Sequence, residues 1–332
     1  MLNLLRAAAV LEDDHRVDTA LVLGADCGGS TSRVVVATVD GRIVGRGRAG
    51  AGNPVVCDAP AAAAELAAAT REALDGRDAG RLVGGVVGMA GDSRLGDPAI
   101  AAAYAGQWAA LGVRCPVRTV GDAVVAFASG SAEPAGTVLI AGTGAVAATI
   151  ADFDVARTAD GLGWLLGDEG SGFWLGLSAA RCAARALYTG TTPTMLVRTV
   201  CERVGSAERE IFVARIYQQP REQIAALAGA VIDSARAGDP DAAALLDDAA
   251  ERLVGTLLSL HPAAGPVVLA GGVLTGIAEM RDPVQRRLRQ RLGRPAVVGS
   301  DGAAAAAWLA ARTAVDGRDT VAADLHTRML SG

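Results

Sequence analysis

"ALVLGADCGGSTSRVVVATVDGRIVGRGRAG", residues 20–50, is the stretch from which the fold is read. Two β-branched runs flank a glycine-rich turn at 26–30, and a second turn, "VDGR", leads into a third run. Strand-like runs separated by turn residues predict a β-hairpin meander. The pattern returns at 136–161 as "GTVLIAGTGAVAATIADFDVARTADG": strand, glycine turn, strand, turn, strand. Two such copies, offset by about 117 residues, predict an internal duplication.

Working outward, "DAPAAAAELAAATREAL" (58–74) opens with Asp and an early Pro, is rich in alanine and stops before Gly76, which predicts a helix. "LVGGVVGMAG" (82–91) reads as a buried strand ending in a loop, and 98–111 as a helix. "VRTVGDAVVAFASG" (117–130) reads as a strand turning into a helix at Asp122. Further helices are expected at 171–188, 221–236, 240–260 and 281–291, a strand at 266–274, and a short strand with a last helix in 296–312. Strands alternating with helices give an α/β protein, here as two similar halves facing each other across a cleft. The expected organisation is an N-terminal extension (1–19), an N-terminal lobe (20–121), a C-terminal lobe (122–312) and a C-terminal tail (313–332). The last helix, 301–312, is a candidate to pack back on the N-terminal lobe.

Composition excludes much of the chemistry. A chain of 332 residues is long enough for two domains. A net charge of −5 with no basic run argues against nucleic acid or an anionic membrane as partner. No apolar run reaches the length of a membrane helix, and Arg6 and the acids after it make the start a poor signal peptide. Five scattered cysteines without a C-x-x-C pair indicate neither a disulfide framework nor a zinc site, so a reduced cytoplasm is expected. The chain has no lysine, which excludes a Walker A loop, a protein-kinase strand lysine and a Schiff base. None of its three histidines, His15, His261 and His326, lies in a glycine-rich or acidic cluster, which argues against a catalytic triad or a His-ligated metal. Acid–base chemistry in this chain falls to carboxylates.

Turns that expose successive backbone N–H groups make anion cradles. The first glycine hairpin, "DCGGSTS", adds the hydroxyls of Ser30, Thr31 and Ser32 and has Asp26 at its entrance, suited to Mg²⁺ with waters retained. The second, "GTG" at 142–144, adds Thr143. Two loops of this kind suit a polyphosphate held from both sides, although each alone also reads as an ordinary hairpin turn. "VLIAGTGAVA" fits a dinucleotide fingerprint as well, but that needs a helix next. The β-branched "AVAATIADFDV" that follows predicts a second strand, which leaves a Rossmann-type NAD(P) site as a remote alternative.

Together these motifs resemble the N-acetylglucosamine kinase branch, with its BadF/BadG/BcrA/BcrD-type ATPases, of the sugar kinase/actin/Hsp70 superfamily. The likeness runs from about Ala20 to Arg312 and rests on "GADCGGSTS", "VGDAVVAFASG", "IAGTGAVA", "LAGGVL" and, most specifically, "GDEGSGFW" within "GWLLGDEGSGFWLG". The resemblance implies two duplicated actin/ribonuclease-H-like lobes around a nucleotide cleft. It also implies ATP as co-substrate with Mg²⁺, and phosphorylation of the 6-hydroxyl of N-acetylglucosamine or a related hexosamine or hexose. It gives Asp122 the role of general base; Asn53, Asp122, Gly142, Thr143, Asp168 and Glu169 that of substrate binding. ATP falls to Gly28, Gly29, Ser30, Thr31, Thr143, Gly144, Gly271 and Gly272, and Mg²⁺ to Asp26 through water. It favours a cytoplasmic homodimer without nucleic-acid or membrane partners.

Plainer readings stay open for several of these residues. Asp122 reads also as a helix N-cap, Asn53 before Pro54 as a turn residue, and Asp168 and Glu169 as acids at a helix entry capped by Ser171. Trp164 and Trp174 read as core packing. Members of the branch commonly carry Ser-Asn after "GTG"; Ala145-Val146 here implies looser sugar selectivity. Ser30 replaces the usual Thr and keeps the hydroxyl. An ATPase activator of radical dehydratases, without a sugar substrate, is the main alternative, and it would need cysteines bridging an iron–sulfur cluster. A transcription factor would need a helix-turn-helix for which the N-terminal extension has no room, and an assembly protein has no use for "GNP" and "GDEGS".

Overall fold

The computed structural model describes residues 20–29, 31–55, 57–90, 97–314 and 319–331. They form two compact units. One runs to Pro134 and takes in Asp152–Asp154 and the chain from Gly299 onward; the other comprises Ala135–Ala151 and Val155–Val298.

The first unit holds β1 (Leu21–Cys27), β2 (Ser32–Thr38), β3 (Ile43–Ala49), α1 (Ala59–Leu74), β4 (Leu82–Met89), α2 (Pro98–Leu111), β5 (Val117–Gly121) and α3 (Asp122–Ala128). Its sheet order is β3-β2-β1-β4-β5, with β1, β2 and β3 antiparallel and β1, β4 and β5 parallel. Because side chains alternate along a strand, Leu21, Leu23, Ala25 and Cys27 pack with Leu66 and Ala69 of α1 and Tyr104 of α2. Burying each large aliphatic side chain contributes roughly 1.5–3 kcal/mol. Gly24 faces the other way. A Cβ there would stand 2.0 Å from the backbone nitrogen of Ala307, so only glycine lets helix Gly302–Ala314 lie this close to β1.

The second unit continues with β6 (Gly136–Ala141), β7 (Ala145–Ala151), β8 (Asp154–Asp160), α4 (Gly172–Thr189), α5 (Met195–Val204), α6 (Arg209–Gln218), α7 (Arg221–Ala226), α8 (Ala228–Arg236), α9 (Pro240–Ser259), β9 (Val267–Ala270), α10 (Gly272–Gly276), α11 (Ala278–Leu292) and β10 (Val297–Val298). Its sheet order is β10-β9-β6-β7-β8. Read from the other edge this repeats the first sheet: a meander of three, then two strands parallel to its first. The duplication expected from the sequence is therefore present, and β7 follows the "GTG" turn where a dinucleotide fold would have a helix. The core joins Leu139 and Ala147 of the sheet to Leu175 and Ala179 of α4 and Leu253 and Val254 of α9.

The division falls after Pro134 and not after residue 121, because α3 packs on β4, β5 and α12 (Gly302–Ala314) in the first unit. The chain after α12 also has structure. Helix α13 (Asp319–Leu330) docks through Trp308, whose indole donates to the Ala322 carbonyl at 2.8 Å and whose ring meets His326 edge-on at 4.8 Å. Helices α5 and α6 occupy a stretch the sequence leaves unassigned, and the expected helix 221–236 is two helices meeting at buried Leu227. The N-terminal extension lies outside the described residues. No helix among the described residues is long and apolar enough to cross a membrane.

Candidate active site

In the first unit the carboxyl ends of the parallel strands carry the acids. Asp26 is paired in register with Gly88 of β4, and Gly88 with Val120 of β5, two residues before Asp122. Crevices outside such strand ends are where ligands bind in α/β sheets. Burial pushes the Asp26 carboxyl up from its ordinary value, Arg33 opposes this, and the charges of Asp122 and Asp301 push it further. Asp122 is the first residue of α3, an acid in the helix's first turn, and Gly121 holds the cap position.

Asp301 is a third acid that motif reading missed. Its carboxylate accepts the N–H groups of Ala303 (2.9 Å) and Ala304 (3.2 Å), capping α12, and it pairs with Arg46 of β3. An Asp two residues before an alanine run was the available signal.

The β1–β2 turn is exposed at Gly28 and Gly29, and the Gly28 N–H closes the turn onto the Thr31 carbonyl at 3.0 Å. Ser30 lies outside the described residues. Asn53 is buried: its amide donates to the Ala90 carbonyl (3.1 Å) and its carbonyl accepts from the Val55 N–H (2.9 Å). One amide hydrogen and one lone pair remain for another partner.

In the second unit three segments converge. The Gly142–Gly144 turn accepts from the start of α4 through Gly172 N–H to Gly142 O (2.8 Å) and Phe173 N–H to Thr143 O (3.1 Å). Thr143 itself is exposed. Asp168 has a left-handed φ of 57° and accepts the Ala145 N–H at 3.1 Å. Its carboxylate lies over Gly144, where a Cβ would come within 2.9 Å. Burial raises the Asp168 pKa above its ordinary range; the Ala145 bond and Arg221 lower it, and Asp160 raises it. Gly271, with φ 82°, lies against Ala141; a Cβ there would stand 2.4 Å from the Ala141 carbonyl oxygen. Gly272 begins α10 beside it.

The loop holding Asp168 is tied down by a residue absent from the motif. Asp160, at the end of β8, accepts the Asp168 N–H at 2.7 Å and the Glu169 N–H at 2.9 Å. Sequence reading places Asp160 at the end of the third strand of the meander, and nothing local marks it as a double acceptor. Glu169 pairs with Arg252, which also holds Asp248 and stacks over Trp174 at 4.8 Å. Ser171 caps α4 by accepting from Trp174 N–H at 3.2 Å. Trp174 is partly buried against the core, but Trp164 remains 47% exposed, with an edge contact to the Phe173 ring, so core packing does not describe it. The Val146 side chain lies under Gly161, 2.9 Å from where its Cβ would be.

Magnesium suits hard oxygen donors and is commonly held by one or two carboxylates, waters and substrate phosphates. Among the described residues no group of three metal-ligating side chains converges. Burial and acidic neighbours penalise the charge of Asp26, and a bound cation would relieve that penalty. The five cysteines are free; Cys27 is buried in β1, where burial pushes its thiol up to about 12.

The family model of the BadF/BadG/BcrA/BcrD ATPases matches residues 23–310. An N-acetylmuramic acid/N-acetylglucosamine kinase of Clostridium acetobutylicum is 26% identical over 61% of this chain and 68% of its own length. An N-acetyl-D-glucosamine kinase of Dictyostelium discoideum is 27% identical over 51% of this chain and 56% of its own. A crystal structure of a candidate N-acetylglucosamine kinase from Chromobacterium violaceum superposes with a TM-score of 0.72 at 25% identity, covering 88% of this chain and 99% of that one.

Proposed function

Because the chain belongs to the BadF/BadG/BcrA/BcrD ATPase family, we propose that it is an ATP-dependent sugar kinase acting on the 6-hydroxyl of N-acetylglucosamine or a related hexosamine. The observation that carries this is the acid arrangement of the first unit, in which Asp122 follows the end of β5 and its charge acts on Asp26 near the end of β1. A chain without lysine has carboxylates for the proton transfer.

In this reading the sugar 6-hydroxyl oxygen attacks the γ-phosphorus in line, its proton passes to an Asp122 carboxylate oxygen, and the bond to the β-phosphate oxygen breaks to release ADP. Phosphoryl transfer asks mainly for positioning and charge neutralisation. Asp168 and the remaining amide capacity of Asn53 orient the sugar hydroxyls. Gly28, Gly29, Ser30, Thr31, Gly142, Thr143 and Gly144 hold phosphates by backbone and hydroxyl groups, and Gly271 and Gly272 admit the adenosine. Glu169 supports the loop through Arg252. Asp26 would hold Mg²⁺ through water, and the ion would supply neutralisation of the phosphate charge. Val146, an apolar side chain under Gly161, offers no amide to an acetamido group, so selectivity between N-acetylglucosamine and other hexosamines is loosened. The enzyme works as a homodimer.

The test is ADP release from Mg-ATP with and without millimolar N-acetylglucosamine. Strong stimulation is expected, and Asp122→Asn should lose at least about 10²-fold in turnover with its melting curve intact. Hydrolysis indifferent to sugar, or wild-type turnover in Asp122→Asn, overturns the reading.

A further inference from the structure

A cavity of about 690 Å³ opens in the second unit between α4, α6, α7 and the loop that carries Asp168. Small-molecule sites typically span roughly 300–1,000 Å³. The chain has only four Trp, three Tyr and four Phe, yet Trp164, Phe173, Phe212 and Tyr217 all line this one space. Trp164 and Tyr217 keep 47% and 87% of their surface exposed, leaving two ring faces for a ligand.

Two cations accompany the rings. Arg203, Arg236, Arg252, Arg287 and Arg291 of the same unit are each paired with a carboxylate. Arg181 lines the cavity with no side-chain hydrogen bond or ion pair to any described residue, and Arg221 has its chain neighbour Glu222 at 3.8 Å and acts through its charge on Asp168.

We propose that the cavity is a binding site for an aryl or alkyl carboxylate. Its apolar body lies against the four rings, and its carboxylate pairs with the guanidinium groups of Arg181 and Arg221. Arginine is the side chain best matched to a carboxylate by paired N–H bonds. Trp164 belongs to the loop that holds Asp168, and the Arg221 charge acts on the Asp168 carboxyl. The carboxylate comes either as a free molecule or as a substituent on a sugar; the pocket chemistry is the same, and it stands whether or not the kinase reading holds.

The test is titration calorimetry of the full chain with 3-(4-hydroxyphenyl)propionate, without sugar or nucleotide. Saturable binding is expected, at least about tenfold weaker for the methyl ester, because hydrogen bonds to a charged group are the stronger ones. Arg181→Gln combined with Arg221→Gln should weaken binding by a similar factor with an unchanged melting curve. Ala184→Trp, which fills the space and leaves both charges, should abolish it. No saturable heat up to about 10 mM, where affinity is negligible, overturns the site, as do ester binding equal to acid or a double variant equal to wild type. In a second arm, a hexosamine bearing the same carboxylate on a tether is compared with N-acetylglucosamine. Tighter binding of the tethered compound that is lost in the double variant assigns the cavity to a sugar substituent. Binding of the free carboxylate with no gain from the tether assigns it to a separate molecule.

Discussion

Replacing Asp160 should damage sugar handling without unfolding the protein. Its carboxylate accepts the N–H groups of Asp168 at 2.7 Å and Glu169 at 2.9 Å. Hydrogen bonds to a charged group contribute roughly 1.5–3 kcal/mol each. Asp160 is half-buried, which favours the lower end. Asp160→Asn keeps one acceptor and turns an amide donor toward the other N–H, a loss of about 1.5 kcal/mol or about tenfold. Asp160→Ala loses both bonds, about 3 kcal/mol or about 10²-fold. The loss is expected in KM for the sugar, because the bonds fix the turn that presents Asp168, with kcat less affected and only a small change in Tm.

A second readout separates this from a general loosening. The Asp160 charge is one cause of the raised Asp168 pKa, after burial. Removing it should move the acid limb of the kcat/KM profile to lower pH. Steady-state kinetics at saturating ATP across pH measures both effects. A folded Asp160→Ala with sugar KM within about twofold of wild type, below what even one such bond contributes, refutes the reasoning.

Other outcomes follow from the same geometry. Gly24→Ala places a Cβ 2.0 Å from the Ala307 nitrogen and 2.2 Å from the Ala303 carbonyl oxygen, backbone atoms that cannot swing aside. It should cost about 3 kcal/mol, the upper part of the usual overpacking range, read as a lower denaturant midpoint; an unchanged midpoint contradicts the close packing of α12 on β1. His326 is held below its ordinary 6.5 by burial, although its bond to the Ala128 carbonyl opposes this. The unfolded chain therefore binds that proton more tightly, and stability falls as pH drops through 6.5 and below. His326→Gln should flatten that slope, and a slope unchanged by the substitution contradicts the burial of the ring.

The sheets and most helices were legible in the sequence because their signals are local. Asp58 with Pro60, and Asp239 with Pro240, mark helix starts, and the two glycine hairpins mark matching meanders. Helix α5 was equally readable, since Thr194 caps it and Gly205 ends it in the left-handed region, yet the polar stretch around it hides the pattern. The break at Leu227 is announced by no proline, and Gly229, two residues on, lies inside the second helix. Gly176 of α4 accounts for the geometry there: its Cβ would fall 2.0 Å from the Ile224 carbonyl oxygen, so α7 lies directly on α4.

The motif acids were legible by type, but their partners were not. Asp301 meets Arg46 across a separation of 255 residues, and Asp160 acts on backbone groups eight and nine residues away that only the folded loop brings near. The cavity beside Asp168 combines a loop tryptophan with faces of three helices, and no periodicity in the sequence reports such a convergence.

The central claim is tested most directly by the identity of the product. The chain is incubated with Mg-ATP and ¹³C-labelled N-acetylglucosamine, and the sugar is followed by ¹³C and ³¹P resonance. A phosphorus coupling on carbon 6, appearing in step with ADP and absent with Asp122→Asn, is the predicted result. Phosphate released to water with the sugar unchanged would contradict the account and identify an ATPase without a sugar acceptor.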